Sequence, residues 1–367
     1  MTTQPTEQNA EVQSEVRGGV GLITLNRPRA LNALSLGMVR ALMGVLLAWQ
    51  HDARVQAVAI RGNGKDGPFG VFCAGGDIRF LHEAGSKGDP KIEDFFTEEY
   101  VLNHFTHNYP KPYIAFMDGI VMGGGMGISQ GGSLRIVTER TKMAMPETGI
   151  GLFPDVGGGY FLSRCPGHVG EWLALTGETI GAGDAIAFGL ADGCLPAAQQ
   201  AEVWEAIATQ GFADGAAIEA FIKAKFVAAS ADHASLRAQI DHYFSLPTVR
   251  DIVQALEAAD SDWARATAAT LRRRSPLMLH VVLEQIRRAR HLGLADDLRM
   301  ERDIVRHCFF LRPGQSETIE GIRALAIDKD QQPRWNPPRI EDVTPEMWQP
   351  FFESPWPAWA HPLRMLS

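Results

Sequence analysis

Cysteine is scarce in this chain. There are four in 367 residues, Cys73, Cys165, Cys194 and Cys308, and none forms a CxxC pair. That spacing gives neither a disulfide framework nor a zinc site, and it suits a reducing, cytoplasmic compartment. A basic excess is also missing. With 35 Lys and Arg against 43 Asp and Glu, the net charge is −8. This counts against nucleic acid as a partner, because phosphate backbones need a basic face. No run of about 18 apolar residues occurs, so no membrane span is expected. The opening MTTQPTEQNAEVQSEV has neither the basic-then-apolar pattern of a signal peptide nor the Arg-rich pattern of a transit peptide. A GxxxxGK[ST] loop is absent, which removes a P-loop nucleotide site. No residue cluster suggests a metal.

What is present fits a globular protein. Hydrophobic residues make up 45% and charged residues 21%, and the length allows a large core. VRGGVGLITLNRP reads as two strands joined at Gly18-Gly19. Ser35 caps a helix whose apolar face is Met38, Leu42, Val45, Leu46 and Trp49. AVAIRG (57–62), YIAFMDGIVM and LRIVTE (134–139) read as further short apolar strands. Strands that are apolar throughout and separated by helices point to an α/β fold. From about Ala198 the pattern is helical. In SPLMLHVVLEQIRRARHLGL, Ser275 is the cap, proline occupies the first turn, and Gly293 lies beyond the end. The expected division is a disordered lead (1–12), a catalytic core (13–200) and a helical C-terminal region with a wrapping tail (201–367).

Two glycine clusters, Gly75-Gly76 and Gly123-Gly124-Gly125, end strand-like runs. Glycine lets a ligand approach backbone N–H groups closely, and one N–H from each loop would suit an oxyanion; tight turns alone also explain the glycines. Gly125-Met126-Gly127 resembles a dinucleotide fingerprint, but the next glycine is one residue too far and Gly131-Gly132 would break the required helix. Gly127-Ile128-Ser129-Gln130-Gly131 matches the GxSxG nucleophile elbow, yet MGGGM stands where the elbow needs an apolar strand. Ser129 therefore reads as a small helix residue. In MPETGIGLFPDVGGGYFL, Glu147 and Asp155 each follow a proline within an otherwise apolar and glycine-rich stretch. Solvated turn acids are the plain alternative to a catalytic pair.

LNRPRALNAL, FCAGGDIR, MGGGMG and MPETGIGLFPDVGGGYFL, in this order, resemble the crotonase (enoyl-CoA hydratase/isomerase) superfamily. Within it they are similar to the 3-hydroxyisobutyryl-CoA hydrolases, as is the C-terminal SETIEGIRALAIDKDQQPRWNP. The resemblance implies an α/β spiral of ββα units with a helical C-terminal region, and an acyl-CoA substrate whose CoA is no separate cofactor. It assigns the polarising N–H groups to Gly76 and Gly124, the catalytic carboxylates to Glu147 and Asp155, and a substrate contact to Glu99. CoA-binding walls fall at Arg27 and Ala30, and at Ala74, Gly75, Asp77 and Ile78. A homo-oligomer is possible for such a chain. Two departures from the hydratase pattern matter: Gly127 stands where hydratases carry a second catalytic glutamate, and Asp155 stands where they have glycine. The implied reaction is hydrolysis of 3-hydroxyisobutyryl-CoA or a close β-hydroxyacyl-CoA, in valine breakdown. The alternatives are an enoyl-CoA hydratase or isomerase, and a non-catalytic acyl-CoA-binding protein.

Overall fold

The computed structural model describes residues 11–367. The expected lead, 1–12, falls outside the described residues except for Glu11 and Val12, and Val12 opens the first strand. Among the described residues the strands are β1 (Val12–Arg17), β2 (Val20–Leu25), β3 (Ala57–Gly64), β4 (Gly67–Pro68), β5 (Val71–Cys73), β6 (Tyr113–Met117), β7 (Ile120–Met122), β8 (Leu134–Val137), β9 (Lys142–Ala144) and β10 (Gly193–Cys194). From Gln200 onward the regular elements are helical. The chain forms two compact units that interleave in sequence. One gathers the chain up to Gly76, Leu102–Met143 and Ile180–Asp232; the other gathers Asp77–Val101, Ala144–Thr179 and His233–Ser367.

The first unit is built on a sheet ordered β1-β2-β3-β6-β8-β10, with β4 pairing at β3. β1 and β2 form the antiparallel hairpin. Gly18 and Gly19 turn it with φ of +55° and +82°, the left-handed values a two-residue hairpin loop requires. From β2 to β10 the neighbours along the sheet are parallel. Every residue of β2 and β6 is buried, as expected of strands covered on both faces. Phe69, Phe116 and Trp204 pack ring against ring on one face, Phe116 meeting Trp204 at 5.4 Å between centroids. Ser35 caps the helix Leu36–Trp49 as expected, accepting from the Met38 N–H. Its buried face takes Val39, whereas Val45 is only half-buried.

YIAFMDGIVM is two strands rather than one. The Asp118 carboxylate accepts from the Gly70 N–H (2.6 Å) and the Thr138 hydroxyl (2.6 Å), and Gly119 turns with φ +69°. The chain thereby leaves β6 and enters β7, which belongs to the smaller sheet β5-β7-β9.

The second unit is mainly helical. Ser275 caps the helix Pro276–Ala289 with a 3.3 Å bond from the Met278 N–H. That helix packs on Val169–Thr176, around the fully buried Trp172. Gly293, expected to follow the end of this helix, is instead the N-cap of the next one, Leu294–Phe310, with an ordinary φ of −74°. The tail beyond Pro337 runs as short turns tied to the helix Leu294–Phe310, with Ser354 donating to Asp303 (2.8 Å) and Arg299 to the Leu363 carbonyl (3.2 Å).

Candidate active site

In the first unit the two glycine loops come together. A Cβ on Gly75 would stand 3.4 Å from the Met122 carbonyl oxygen and 3.6 Å from the Gly124 nitrogen, and Gly75 itself has φ +109°. Gly123 (φ +48°, ψ −122°) caps the helix Gly124–Gln130. The Gly124 N–H thus lies in a first turn, where no intrahelical acceptor exists. Gly76 pairs with Leu34 in a parallel bridge, in which Leu34 donates to the Gly75 carbonyl (2.8 Å). Among the described residues no backbone carbonyl accepts from the Gly76 N–H. A methyl on Gly125 would overlap the Cys73 carbonyl, so only glycine lets this helix sit against β5.

Around these loops, Arg27 precedes the short turn Pro28–Ala30; its guanidinium bonds the Ala33 carbonyl (2.9 Å) and pairs with Glu11 (3.2 Å). Ala74 donates to the Leu31 carbonyl (3.0 Å). Asn32 is fully buried with φ +56°, and its amide donates to the carbonyls of Asn63, Val71 and Phe72 at 3.0–3.1 Å. Sequence reading passed over this residue. Its signal was there, since Asn enters the left-handed region more readily than other side chains. Ser129 is fully buried, and its hydroxyl donates to the Gly125 (2.8 Å) and Met126 (3.2 Å) carbonyls, which is no posture for a nucleophile.

The second unit holds the acids, along with Asp77 and Ile78. Asp77 caps the helix Ile78–Lys87 through the N–H groups of Arg79 and Phe80. Glu147 opens a single 3₁₀ turn, Glu147–Ile150, behind Pro146. Its carbonyl accepts from Leu152 (3.0 Å), and Thr318 holds the Gly151 carbonyl (2.7 Å). The loop containing Asp155 follows. Glu99 and Tyr100 come from the helix Lys91–His107, and the Tyr100 hydroxyl donates to Asp155 Oδ2 at 2.9 Å.

All three carboxyls are buried, Glu99 at 2% exposure and Glu147 and Asp155 at 6% each. Burial raises Glu147 well above the usual carboxylate range, and the charge of Asp155 raises it further. The same two causes act on Glu99. Burial lifts Asp155 to about 7, held back by the Tyr100 hydrogen bond. Three acids that feel one another in a dry setting cannot all ionise at neutral pH, so the cluster retains protons and can exchange them. Among the described residues, Glu147 Oε2 and Glu99 Oε1 are buried with no hydrogen-bond partner. A carboxylate of raised pKa is also a stronger base and nucleophile when it does ionise.

Tyr100 and the groups behind Asp155 were not foreseen, because they come from segments far away in sequence. Gln285 donates to the Pro154 carbonyl (2.6 Å), and Glu301 accepts from the Gly157 and Gly159 N–H groups (2.8 Å each). Among the described residues no group of three His, Cys, Asp or Glu side chains is placed to hold a metal ion, and no helix is long and apolar enough to cross a membrane.

A family model described as enoyl-CoA hydratase/isomerase matches residues 20–352. A curated relative from Xenopus tropicalis, 3-hydroxyisobutyryl-CoA hydrolase, mitochondrial, is 38% identical over 96% of this chain and 91% of its own length. Among solved structures, a carnitinyl-CoA dehydratase from Mycobacterium thermoresistibile superposes with a TM-score of 0.86 at 40% identity, covering 95% of this chain and 98% of that one. An enoyl-CoA hydratase from Rhodobacter sphaeroides 2.4.1 gives 0.84 at 37% identity over 94% and 98%. The α/β sheets, the converging glycine loops and near full-length similarity lead to one conclusion: the chain belongs to the enoyl-CoA hydratase/isomerase family.

Proposed function

We propose that this protein hydrolyses the thioester of 3-hydroxyisobutyryl-CoA, or of a close β-hydroxyacyl-CoA, to the free acid and CoA. The observation that carries the reading is the pairing of Glu147 with Asp155, both buried and raised by burial, Glu147 with an oxygen that no group among the described residues satisfies. The name of the Xenopus relative supports the same substrate. In this reading the Gly76 and Gly124 N–H groups take the thioester oxygen as it becomes an oxyanion; one such donor is worth about 10²–10³ in rate. Glu147 either attacks the carbonyl carbon, releasing CoA thiolate and leaving an anhydride for water to open, or draws the proton from an attacking water. Asp155, as carboxylate, accepts from the substrate's 3-hydroxyl, and an acyl group lacking that hydroxyl leaves it unpaired. Glu99 contacts the acyl part. The segments at Arg27–Ala30 and Ala74–Ile78 wall the CoA.

A second reading, enoyl-CoA hydration, is favoured by the names of the two solved structures. Against it, position 127 is glycine, so the second acid that hydration of a double bond requires is missing there. Thiol release from 3-hydroxyisobutyryl-CoA, run beside loss of crotonyl-CoA absorbance, separates the two. Release from the first with little hydration of the second is expected; rapid hydration without thiol overturns the assignment. A single turnover in ¹⁸O water, with label found in the Glu147 peptide, supports the anhydride route. The compartment is proposed to be reducing, since all four cysteines are buried thiols. The expected cytoplasm and the mitochondrial name of the relative both meet that condition.

A further inference from the structure

The helix Leu294–Phe310 carries three consecutive ionisable residues, Glu301, Arg302 and Asp303, all buried and each engaged with a different segment. Glu301 accepts from Gly157 on Oε2 and from Gly159 on Oε1. Arg302 bonds Thr97 (3.1 Å) and pairs with Glu93, on the helix that supplies Glu99 and Tyr100. Asp303 takes the tail at Ser354. One turn earlier, Asp297 Oδ2 accepts from the Tyr160 N–H at 2.8 Å. The turn directly after Asp155 therefore hangs from two carboxyls. It includes Val156 at φ +58°, a conformation strained for a β-branched residue that lasts only where surrounding bonds impose it.

The two carboxyls are not equivalent. Glu301 receives the two backbone N–H groups and, on Oε1, the Gln285 amide at 3.3 Å. Asp297 receives one N–H, and among the described residues its buried Oδ1 has no partner by ordinary acceptor geometry. Negative charge settles where the donors converge, and a carboxyl oxygen facing another acid without a donor is where a proton belongs. We propose that Glu301 is the positioning residue of the Asp155 loop, working as a carboxylate, and that Asp297 holds the proton of the pair. The inference rests on the thioesterase reading. Burial raises both acids, Asp297 to about 7 and Glu301 well above the usual carboxylate range, where the charge of Asp297 lifts it further. Yet three donors converge on Glu301 and one on Asp297, and it is the donors that place the charge on Glu301. Asp155 is faced by Tyr100, Glu99, Glu147, Glu301 and Cys308, Glu301 by Asp297 and Tyr100, and Asp297 by Arg164.

The test compares Glu301→Gln with Asp297→Asn in the full chain. An amide at 301 sets an N–H₂ against the Gly157 or Gly159 N–H. An amide at 297 reproduces the protonated acid, its oxygen accepting from Tyr160 and its nitrogen donating to Glu301. E301Q is expected to lower kcat/KM for thiol release by about 10²-fold, the scale of a small misplacement of a reacting group. It should also move the acid limb of the pH profile downward, because a negative neighbour of Asp155 is gone, and speed hydrogen exchange in the peptide spanning 154–162. D297N is expected to cost no more than about fivefold, one ordinary hydrogen bond, with exchange unchanged. E301Q with wild-type rate, an unmoved limb in a merely destabilised E301Q, or a D297N as damaging as E301Q overturns the proposal. Should E301Q fail to fold, D297N decides alone: retained rate and protection support the assignment, and their loss refutes it. A wild type that releases no thiol refutes the thioesterase reading instead, and the exchange comparison still judges the positioning role.

Discussion

Replacing Tyr100 with phenylalanine removes one atom from the acid cluster. The lost hydroxyl donates to Asp155 Oδ2 at 2.9 Å, and both residues are buried. A hydrogen bond to a charged group is worth about 1.5–3 kcal/mol. At 1.36 kcal/mol per pKa unit, its loss raises the pKa of the acid by about one to two. Asp155 begins at about 7, so the variant should titrate near 8 to 9. The proposed chemistry needs the carboxylate as acceptor of the substrate hydroxyl. The acid limb of kcat/KM for thiol release should therefore move from about pH 7 to between about 8 and 9, a loss of roughly 5- to 50-fold at pH 7 that recovers in alkali. The limb belongs to the cluster of Glu99, Glu147 and Asp155 together, so its displacement and not its absolute position is the datum. Stopped assays from pH 5.5 to 9.5 with free CoA as readout measure it. A folded Y100F whose limb stays in place, with rate lost equally at every pH, would refute the electrostatic role of this bond.

Stability should vary with pH in a direction fixed by the same acids. Asp155, Asp297 and Glu317 stand at about 7 when folded, all by burial, against about 4 unfolded. The folded chain binds their protons more tightly, so their contribution is full below about pH 4 and declines as pH rises to about 7. Tm should fall between pH 5.5 and 8. Asp155→Asn should raise it at pH 8, gaining up to about 4 kcal/mol, the cost of ionising an acid that folding holds near 7 rather than about 4; a wild-type Tm that climbs over that interval contradicts the burial account. Gly125→Ala, which drives a methyl into the Cys73 carbonyl, should cost about 1–3 kcal/mol in denaturant titration, and an unchanged midpoint would mean the helix Gly124–Gln130 has room the structure denies it. Ser129→Ala should leave kcat/KM intact, its hydroxyl being spent on carbonyls of its own helix; near-total loss in a folded variant would return it to candidacy as a nucleophile.

What could be read from the sequence was local. Ser35 and Ser275 cap helices because a hydroxyl three residues before an N–H needs no distant partner, and Gly18-Gly19 turns a hairpin for an equally short-range reason. Where tertiary contacts decide, the sequence was silent. Asp118 breaks an apolar run because Gly70 and Thr138 bind it, and Val39 displaces Val45 from the buried face because the strands behind the helix choose its rotation. Glu147 and Asp155 stood out through their motif, but nothing near them announced Tyr100, Gln285 or Glu301, whose purpose appears only when the chain has closed on itself.

The bond from the Gly157 N–H to Glu301 spans 144 residues. At a ribosome adding about 5–20 residues per second, the segment with Asp155 emerges roughly 7 to 30 seconds before the helix that will suspend it exists. During that interval its glycine turn has no carboxylate to close upon. Completion of the Asp155 loop must therefore wait for the helix Leu294–Phe310, a later stretch of chain closing a turn made long before.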